Sequence, residues 1–343
     1  MDSAVPEHLR CPRTRQRRVP DDYAPPFASP VARFDSGLKQ VVMAYFGIQH
    51  PVLHSRAARE GMDRLESDMQ RPDGPRHVDR ASYVDEAGYY SLINIAYWSD
   101  PQAFDRWFAS HGQGWTKGLS KVDRCGTFVE VVKPAVERFE TLFSSLAPEG
   151  VARLGCGFSG NVQEHGYWGG ARDRLPLAQT DGLASGGYPV VVADGLTQRV
   201  IPHENLCLIR SGQDWSSTVG EERRMYVSDI EPVLRAGMEF LRDSGSEVGC
   251  FANRYVRLLD QQGQPLEKSF GMSLWTSLSA LERWSESHPT HLAIFGVAMK
   301  YLKRMGTDGQ LKLYHEVAVI EARDQFYEYS NCHPQTGMLR SAR

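Results

Sequence analysis

The chain has 343 residues, 41% apolar and 24% charged, with a formal net charge of −3. That balance argues against nucleic acid or another polyanion as partner, and no window approaches the roughly 20 apolar residues of a membrane span. The length suffices for two half-domains and a buried cofactor site.

Residues 1–35 carry prolines at 6, 12, 20, 25, 26 and 30 and arginines at 10, 13, 15, 17 and 18. No apolar h-region follows the charges, so the segment does not read as a secretory signal. It reads as an extended arm, suited to wrapping a partner subunit. Residues 36–150 form a first folded repeat. V-V-M-A-Y-F-G-I at 41–48 is a strand, Ala57–Gln70 an amphipathic helix and Leu92–Trp98 a second strand. Pro101, with Asp100 as cap, opens a helix to about His111, and Phe128–Val132 closes the repeat in the order β-α-β-α-β.

Residues 151–200 read as a loop-rich connection. Within it G-C-G-F-S-G at 155–160 has the look of a phosphate loop but lacks the G-K-[ST] ending and a preceding strand, so it is an ordinary turn. Residues 201–343 form a second repeat: strand Asn205–Arg210, long helix Arg223–Asp243, strands Tyr255–Leu259 and Ser269–Trp275, helix Leu278–Ser285 and strand Leu311–Ile320. Strands with helices on one face define an α+β, ferredoxin-like pattern, and two such units could join their sheets into one barrel. The six cysteines are scattered with no C-x-x-C pair, which signals neither a zinc site nor a disulfide framework and suits a reducing cytoplasm.

The two halves share a unit. W-S-D-P-Q-A-F-D-R-W at 98–107 matches W-T-S-L-S-A-L-E-R-W at 275–284 at a constant offset of 177, and His111 matches His288 at the same offset. His291, however, falls opposite Gly114. F-V-E-V at 128–131 resembles Y-H-E-V at 314–317, which sets His315 opposite Val129. Residues that the fold requires should recur in both copies, so the unshared histidines are where chemistry is expected.

His291 lies on a helix introduced by Pro289, on a stripe with Phe295, Ala298 and Leu302. A histidine on an apolar face is either a core residue bonded to a carbonyl or an axial ligand to haem, whose flat apolar body needs such a face. By strand alternation His315 shares a side with Leu313, Val317 and Val319, facing inward. It is either hydrogen-bonded structure or a general acid/base. Ser211, in R-S-G-Q-D-W, is expected at a strand end with Gly212 leaving room before it; no G-x-S-x-G elbow is present, so a covalent serine is not indicated. H-G-Y-W-G-G-A-R-D-R-L-P at 165–176 is a loop whose arginines could pair with Asp173, and His165 is a rival ligand.

The strings H-P-T-H-L at 288–292, L-Y-H-E-V at 313–317, I-R-S-G-Q-D-W at 209–215, H-G-Y-W-G followed by R-D-R, and N-C-H-P-Q-T-G-M-L at 331–339 resemble the haem-containing aldoxime dehydratases. C-P-R-T and R-R-V-P near the N-terminus are similar too, so the resemblance covers almost the whole chain. It implies a dimeric α+β barrel, a homodimer, a b-type haem that is ferrous when active, and conversion of an aldoxime to a nitrile with loss of water. It further implies that His291 is the iron ligand, His315 the distal acid/base and Ser211 the residue that bonds the oxime hydroxyl, with Arg174 and Glu140 supporting His315. One departure is K-R-M-G-T-D-G-Q at 303–310, which makes the link between the two histidines longer than in the relatives and could alter the pocket mouth.

The chemistry is consistent with that resemblance. Hydroxide leaves an oxime poorly, so N–O cleavage requires a proton, which His315 would supply; ferrous iron on His291 would bind the oxime nitrogen. Two other classes remain open from sequence: a redox haem enzyme of the peroxidase or chlorite-dismutase kind, and a non-enzymatic haem-binding protein.

Overall fold

A computed structural model describes residues 1–27, 29–52, 55–118, 125–165 and 170–341. The arm has little regular structure until β1 (Ala32–Arg33). The first unit runs β2 (Val42–His50), α1 (Arg56–Met69), β3 (His77–Val84), β4 (Tyr90–Trp98), α2 (Pro101–Trp107), α3 (Trp115–Gly118) and β5 (Gly126–Val132). A middle section follows with β6 (Phe139–Phe143), β7 (Gly157–Phe158), α4 (Gly170–Arg174), β8 (Val190–Asp194) and β9 (Thr197–Ile201). The second unit runs β10 (Leu206–Asp214), α5 (Gly220–Met225), α6 (Glu231–Ser244), β11 (Cys250–Leu259), β12 (Pro265–Trp275), α7 (Leu278–Ser287), α8 (Pro289–Met305) and β13 (Lys312–Ile320), and β14 (Gln325–Ser330) ends the sheet-forming chain.

All strands but β1 and β7 form one twelve-stranded sheet in the order β6-β13-β10-β12-β11-β3-β4-β2-β5-β14-β9-β8. Within it the second unit reads β13-β10-β12-β11 and the first reads β3-β4-β2-β5, the same internal order in mirror sequence, joined where β11 pairs with β3. Each unit is therefore β-α-β-β-α-β. The sequence reading omitted β3, whose H-V-D-R-A-S-Y-V mixes charged and apolar residues; Asp79 and Arg80 are paired there with Arg210 and Glu66. Charges satisfied by partners far along the chain hide a strand from its own local pattern.

The shared tryptophans show why the duplication persists. Trp98 packs on Trp107 with ring centroids 5.3 Å apart at 47°, and Trp275 packs on Trp284 at 5.5 Å and 44°. Each pair nails a strand end to the helix that follows, and both helices are capped at equivalent positions: Asp100 accepts from Gln102 N and Ser277 from Ala280 N. The helix-facing side of the first sheet buries Val42, Ala44, Phe46 and Ile48, and that of the second buries Cys207, Val317 and Val319. The opposite sides meet each other in one core that includes Met43, Tyr45, Leu208, Met272 and Ile320. Both faces of β2 are thus apolar, which accounts for its unbroken hydrophobic run in the sequence.

Two long-range additions complete the sheet. β6, from the first half of the chain, pairs with β13, and β14, from the chain's end, pairs with β5. The connection read as loops adds the β8–β9 hairpin at one edge, and the 155–160 turn contributes β7, paired with β1. The arm lies on its own chain, bonded to Asn161, Glu164, Asp173 and Gln179. Among the described residues no helix is long and apolar enough to cross a membrane.

Candidate active site

Glu140, Arg174 and His315, which lie far apart in the chain, meet in the structure. Crossing of β6 to the second unit sets Leu142 opposite His315 and Glu140 opposite Val317, so Glu140 stands diagonally beside His315 on the helix-facing side. Glu140 accepts from Arg174 Nε at 2.6 Å and Nη2 at 3.1 Å, a two-pronged pair with both side chains almost fully buried. His315 Nε2 lies 3.0 Å from Glu140 Oε1 and 3.0 Å from Arg174 Nη2. Arg174 Nη1 donates to the Glu164 carbonyl at 2.7 Å. Burial alone would raise the Glu140 carboxyl, but Arg174 and then His315 outweigh it and hold it down at about 2.

That arrangement serves both protonation states of His315. A neutral Nε2 lone pair accepts from Arg174; a protonated Nε2–H donates to Glu140. Nδ1 makes no hydrogen bond to the protein among the described residues. With Nε2 held from behind, Nδ1 is the nitrogen left to exchange a proton with something outside the network.

Ser211 is the antiparallel partner of His315, and both face the helices, as Cys207 and Ile209 do on β10. Side chains so placed have Cβ atoms about 5 Å apart. Two expectations need correction here. Ser211 is in the middle of β10, not at a strand end, because pairing with β12 and β13 continues to Asp214. Gly212 does not open space in front of it either: a Cβ there would lie 2.2 Å from the Tyr314 ring, so the glycine admits that ring on the opposite face. The loop arginines are likewise not paired with Asp173. Arg172 bonds Glu282, and Asp173 accepts from the backbone N–H groups of Arg18 and Val19 in the arm. Residues 166–169 of that motif lie outside the described residues. His165 is tied by Nδ1 to the Phe27 carbonyl at 3.0 Å, and burial pushes it down to about 4.

His291 sits in the first turn of α8, whose N-cap His288 accepts from Thr290 N. Its ring stands edge-on to Trp284, with centroids 4.6 Å apart at 75°. Burial pushes the imidazole down to about 4, against a backbone hydrogen bond at Ser285 that favours the charged form. At neutral pH it is therefore an uncharged imidazole, the form that binds a metal. α8 packs chiefly against α6 and α7. Although P-T-H-L-A-I-F-G-V-A-M is largely apolar, only Tyr301 of α8 is buried, and a Cβ added at Gly296 would meet nothing within 4 Å. A partly exposed apolar helix face beside a neutral histidine fits the flat body of a haem. Among the described residues no three His, Cys, Asp or Glu side chains gather to hold a bare metal ion. One imidazole suits an iron that arrives with its own four nitrogens. The described groove of about 710 Å³ between α1 and α6, lined by Met62, Arg80, Asn253 and Arg254, contains neither histidine.

Glu130 and Glu316, the glutamates shared between the duplicated strands, are structural. Glu130 is held by Arg254 at 2.6 Å on each oxygen, and Glu316 accepts from Tyr97 Oη at 2.9 Å and Val151 N at 2.6 Å. Sequence reasoning missed Glu164 and gave Asp173 the wrong partners; both carry the arm's contacts. The available signal was the arginine-rich arm, which required acidic partners somewhere in the body.

Residues 44–338 match the model of the haem-containing dehydratase family. The chain is 46% identical over 350 aligned positions to an aliphatic aldoxime dehydratase of Rhodococcus erythropolis, covering 100% of this chain and 98% of that protein. It is 35% identical to a phenylacetaldoxime dehydratase of Bacillus sp. (strain OxB-1), covering 94% of each. A crystal structure of an aldoxime dehydratase in complex with butyraldoxime superposes with a TM-score of 0.95 at 45% identity, over 100% of this chain and 97% of that one. The chain belongs to the haem-containing dehydratase family, and haem is its cofactor.

Proposed function

We propose that this protein dehydrates aldoximes, R–CH=N–OH, to nitriles. The observation that carries the reading is the buried Glu140–Arg174–His315 network, with Ser211 beside it on one sheet face and His291 on the helix layer over the same unit. Full-length likeness to aliphatic and phenylacetaldoxime dehydratases supports it. His291 would hold the haem through its neutral imidazole, and when bound the ferrous haem supplies a Lewis acid and electron donor for the oxime nitrogen.

The remaining work falls to the protein. Ser211 Oγ bonds the oxime oxygen and keeps it near His315. Imidazolium His315 donates Nδ1–H to that oxygen while Nε2–H stays on Glu140; the N–O bond breaks and water leaves. The Nδ1 lone pair then takes the proton from carbon, which completes the nitrile and restores the imidazolium. One proton is given and one regained, so His315 ends as it began, and loss of water from the oxime involves no net redox change. Arg174 keeps Glu140 ionised throughout, so the carboxylate orients the imidazole without consuming its proton.

We further propose that the twelve-stranded sheet closes as a dimeric α+β barrel and that the protein acts as a homodimer in the cytoplasm, where reductant keeps the haem ferrous. The test is direct: haem-loaded, dithionite-reduced protein is mixed with butyraldoxime and the nitrile is measured, with His315→Ala alongside. Nitrile from the wild type and a loss of about 10²- to 10⁴-fold in kcat for His315→Ala are expected, with the Soret band retained. A haem-loaded wild type that makes no nitrile, or a variant with normal turnover, overturns the reading.

A further inference from the structure

Arg174 is carried by a single helical turn, Gly170–Arg174, too short to hold its own conformation. Arg172 ties the turn to Glu282 of α7, and the N-terminal arm holds it from two sides. On one side Glu164, whose carbonyl receives Arg174 Nη1, has its carboxylate bonded by Ser3 Oγ at 2.9 Å and Ala4 N at 2.8 Å. On the other, Asp173 is 2% exposed and accepts from Arg18 N and Val19 N, each at 2.9 Å, with Arg13 3.7 Å away. Past α4, Gln179 donates to the Leu9 carbonyl and accepts from Cys11 N. The arm also roofs the ion pair itself: Ala4, Leu9 and Val31 line a crevice of about 50 Å³ whose floor includes Glu140 and Arg174.

We propose that the N-terminal arm is a strap, acting through the carboxylates of Glu164 and Asp173, that positions Arg174 against His315 and so sets how readily His315 gives up its proton during catalysis. This rests on His315 being the general acid. Among the described residues, the charged and titratable groups around His315 are Glu140 from β6, Arg174 from α4 and His165 from the segment before α4; β10 contributes the uncharged Ser211. Glu140 is fixed by its strand, whereas Arg174 sits on a short turn held by the strap together with Arg172. Loosening the strap withdraws the cation and leaves the carboxylate, so the imidazolium is favoured. His315 then becomes the weaker acid.

The test compares haem-loaded Asp173→Ala and Glu164→Ala with Asp173→Asn and Glu164→Gln, which keep an acceptor oxygen. The alanine variants are expected to lose about tenfold in kcat, the scale of one hydrogen bond to a charged group. Their KM should change less than about twofold, with the kcat–pH profile displaced to higher pH by roughly half a unit or more. The amide variants should recover part of both. Because a buried carboxylate removed outright can prevent folding, Ser3→Ala with Arg13→Ala, made on the arm alone, must show the same displacement. An unshifted profile in the arm variant while His315→Ala is inactive overturns the strap; an active His315→Ala overturns the general-acid reading instead. Activity lost only in proportion to lost holoprotein, with normal kcat per haem, reduces the arm to a structural role and also overturns it.

Discussion

Glu140→Gln tests the buried network most sharply, because the side chain keeps its shape and loses only charge and one acceptor. The carboxylate accepts from Arg174 at 2.6 and 3.1 Å, and among the described residues the guanidinium has the Glu164 carbonyl and His315 Nε2 as its other partners. Removing one member of a buried ion pair costs about 3–5 kcal/mol. The depression of the Glu140 carboxyl from 4.5 to about 2 corresponds, independently, to about 3 kcal/mol. For a chain of 343 residues that lowers Tm by roughly 4 °C. The sign with pH follows from a folded-state value below the unfolded one. The contribution is fully present above about 4.5 and is lost as pH falls towards about 2, so the wild-type advantage should be complete at pH 7 and should shrink in acid. Calorimetric unfolding of both proteins from pH 7 to pH 3 measures it. Equal stability at pH 7, or a gap that does not narrow in acid, refutes the argument.

Other expectations address the remaining members of the site. His291→Ala should leave a folded chain that does not take up haem normally, and an unchanged Soret spectrum would remove His291 as the iron ligand. Ser211→Ala should lower kcat/KM by about tenfold, the worth of one hydrogen bond, without altering the spectrum of the bound haem; a loss as large as that of His315→Ala would assign Ser211 more than positioning. Gly170→Ala places a Cβ 2.6 Å from Arg174 Nη1 and 2.8 Å from the Glu164 carbonyl. Displacing that fork should cost about 1–3 kcal/mol and lower kcat, and a variant as active and as stable as wild type would show that Arg174 tolerates a different pose.

How much of this was legible beforehand differs from residue to residue. His315 lies where period-two alternation puts it, with Val317 and Val319 on one face and Tyr314 and Glu316 on the other. The comparison of the two halves that left His291 and His315 unmatched also separated them from the shared Glu130 and Glu316, which are bound in structural networks. Local pattern did less well where distant partners decide the outcome: β3 escaped notice because Asp79 and Arg80 are neutralised from other elements, and Ser211 was placed at a strand end because R-S-G-Q-D looks polar until β12 and β13 are laid beside it.

The amino-acid order by itself determined two like units, a helix with one histidine on an apolar stripe and a strand with one histidine on the side of Val317 and Val319, because periodicity and capping act over a few residues; that this side faces the helices only the fold decided. Tertiary structure alone decided that β6 pairs with β13, bringing Glu140 to His315, and that the arm lies on its own chain where it bonds Glu164 and Asp173. Strand addition at an edge and hydrogen bonds across some 150 residues carry no local periodicity, so only the folded backbone shows which carboxylate and which guanidinium share a proton's neighbourhood.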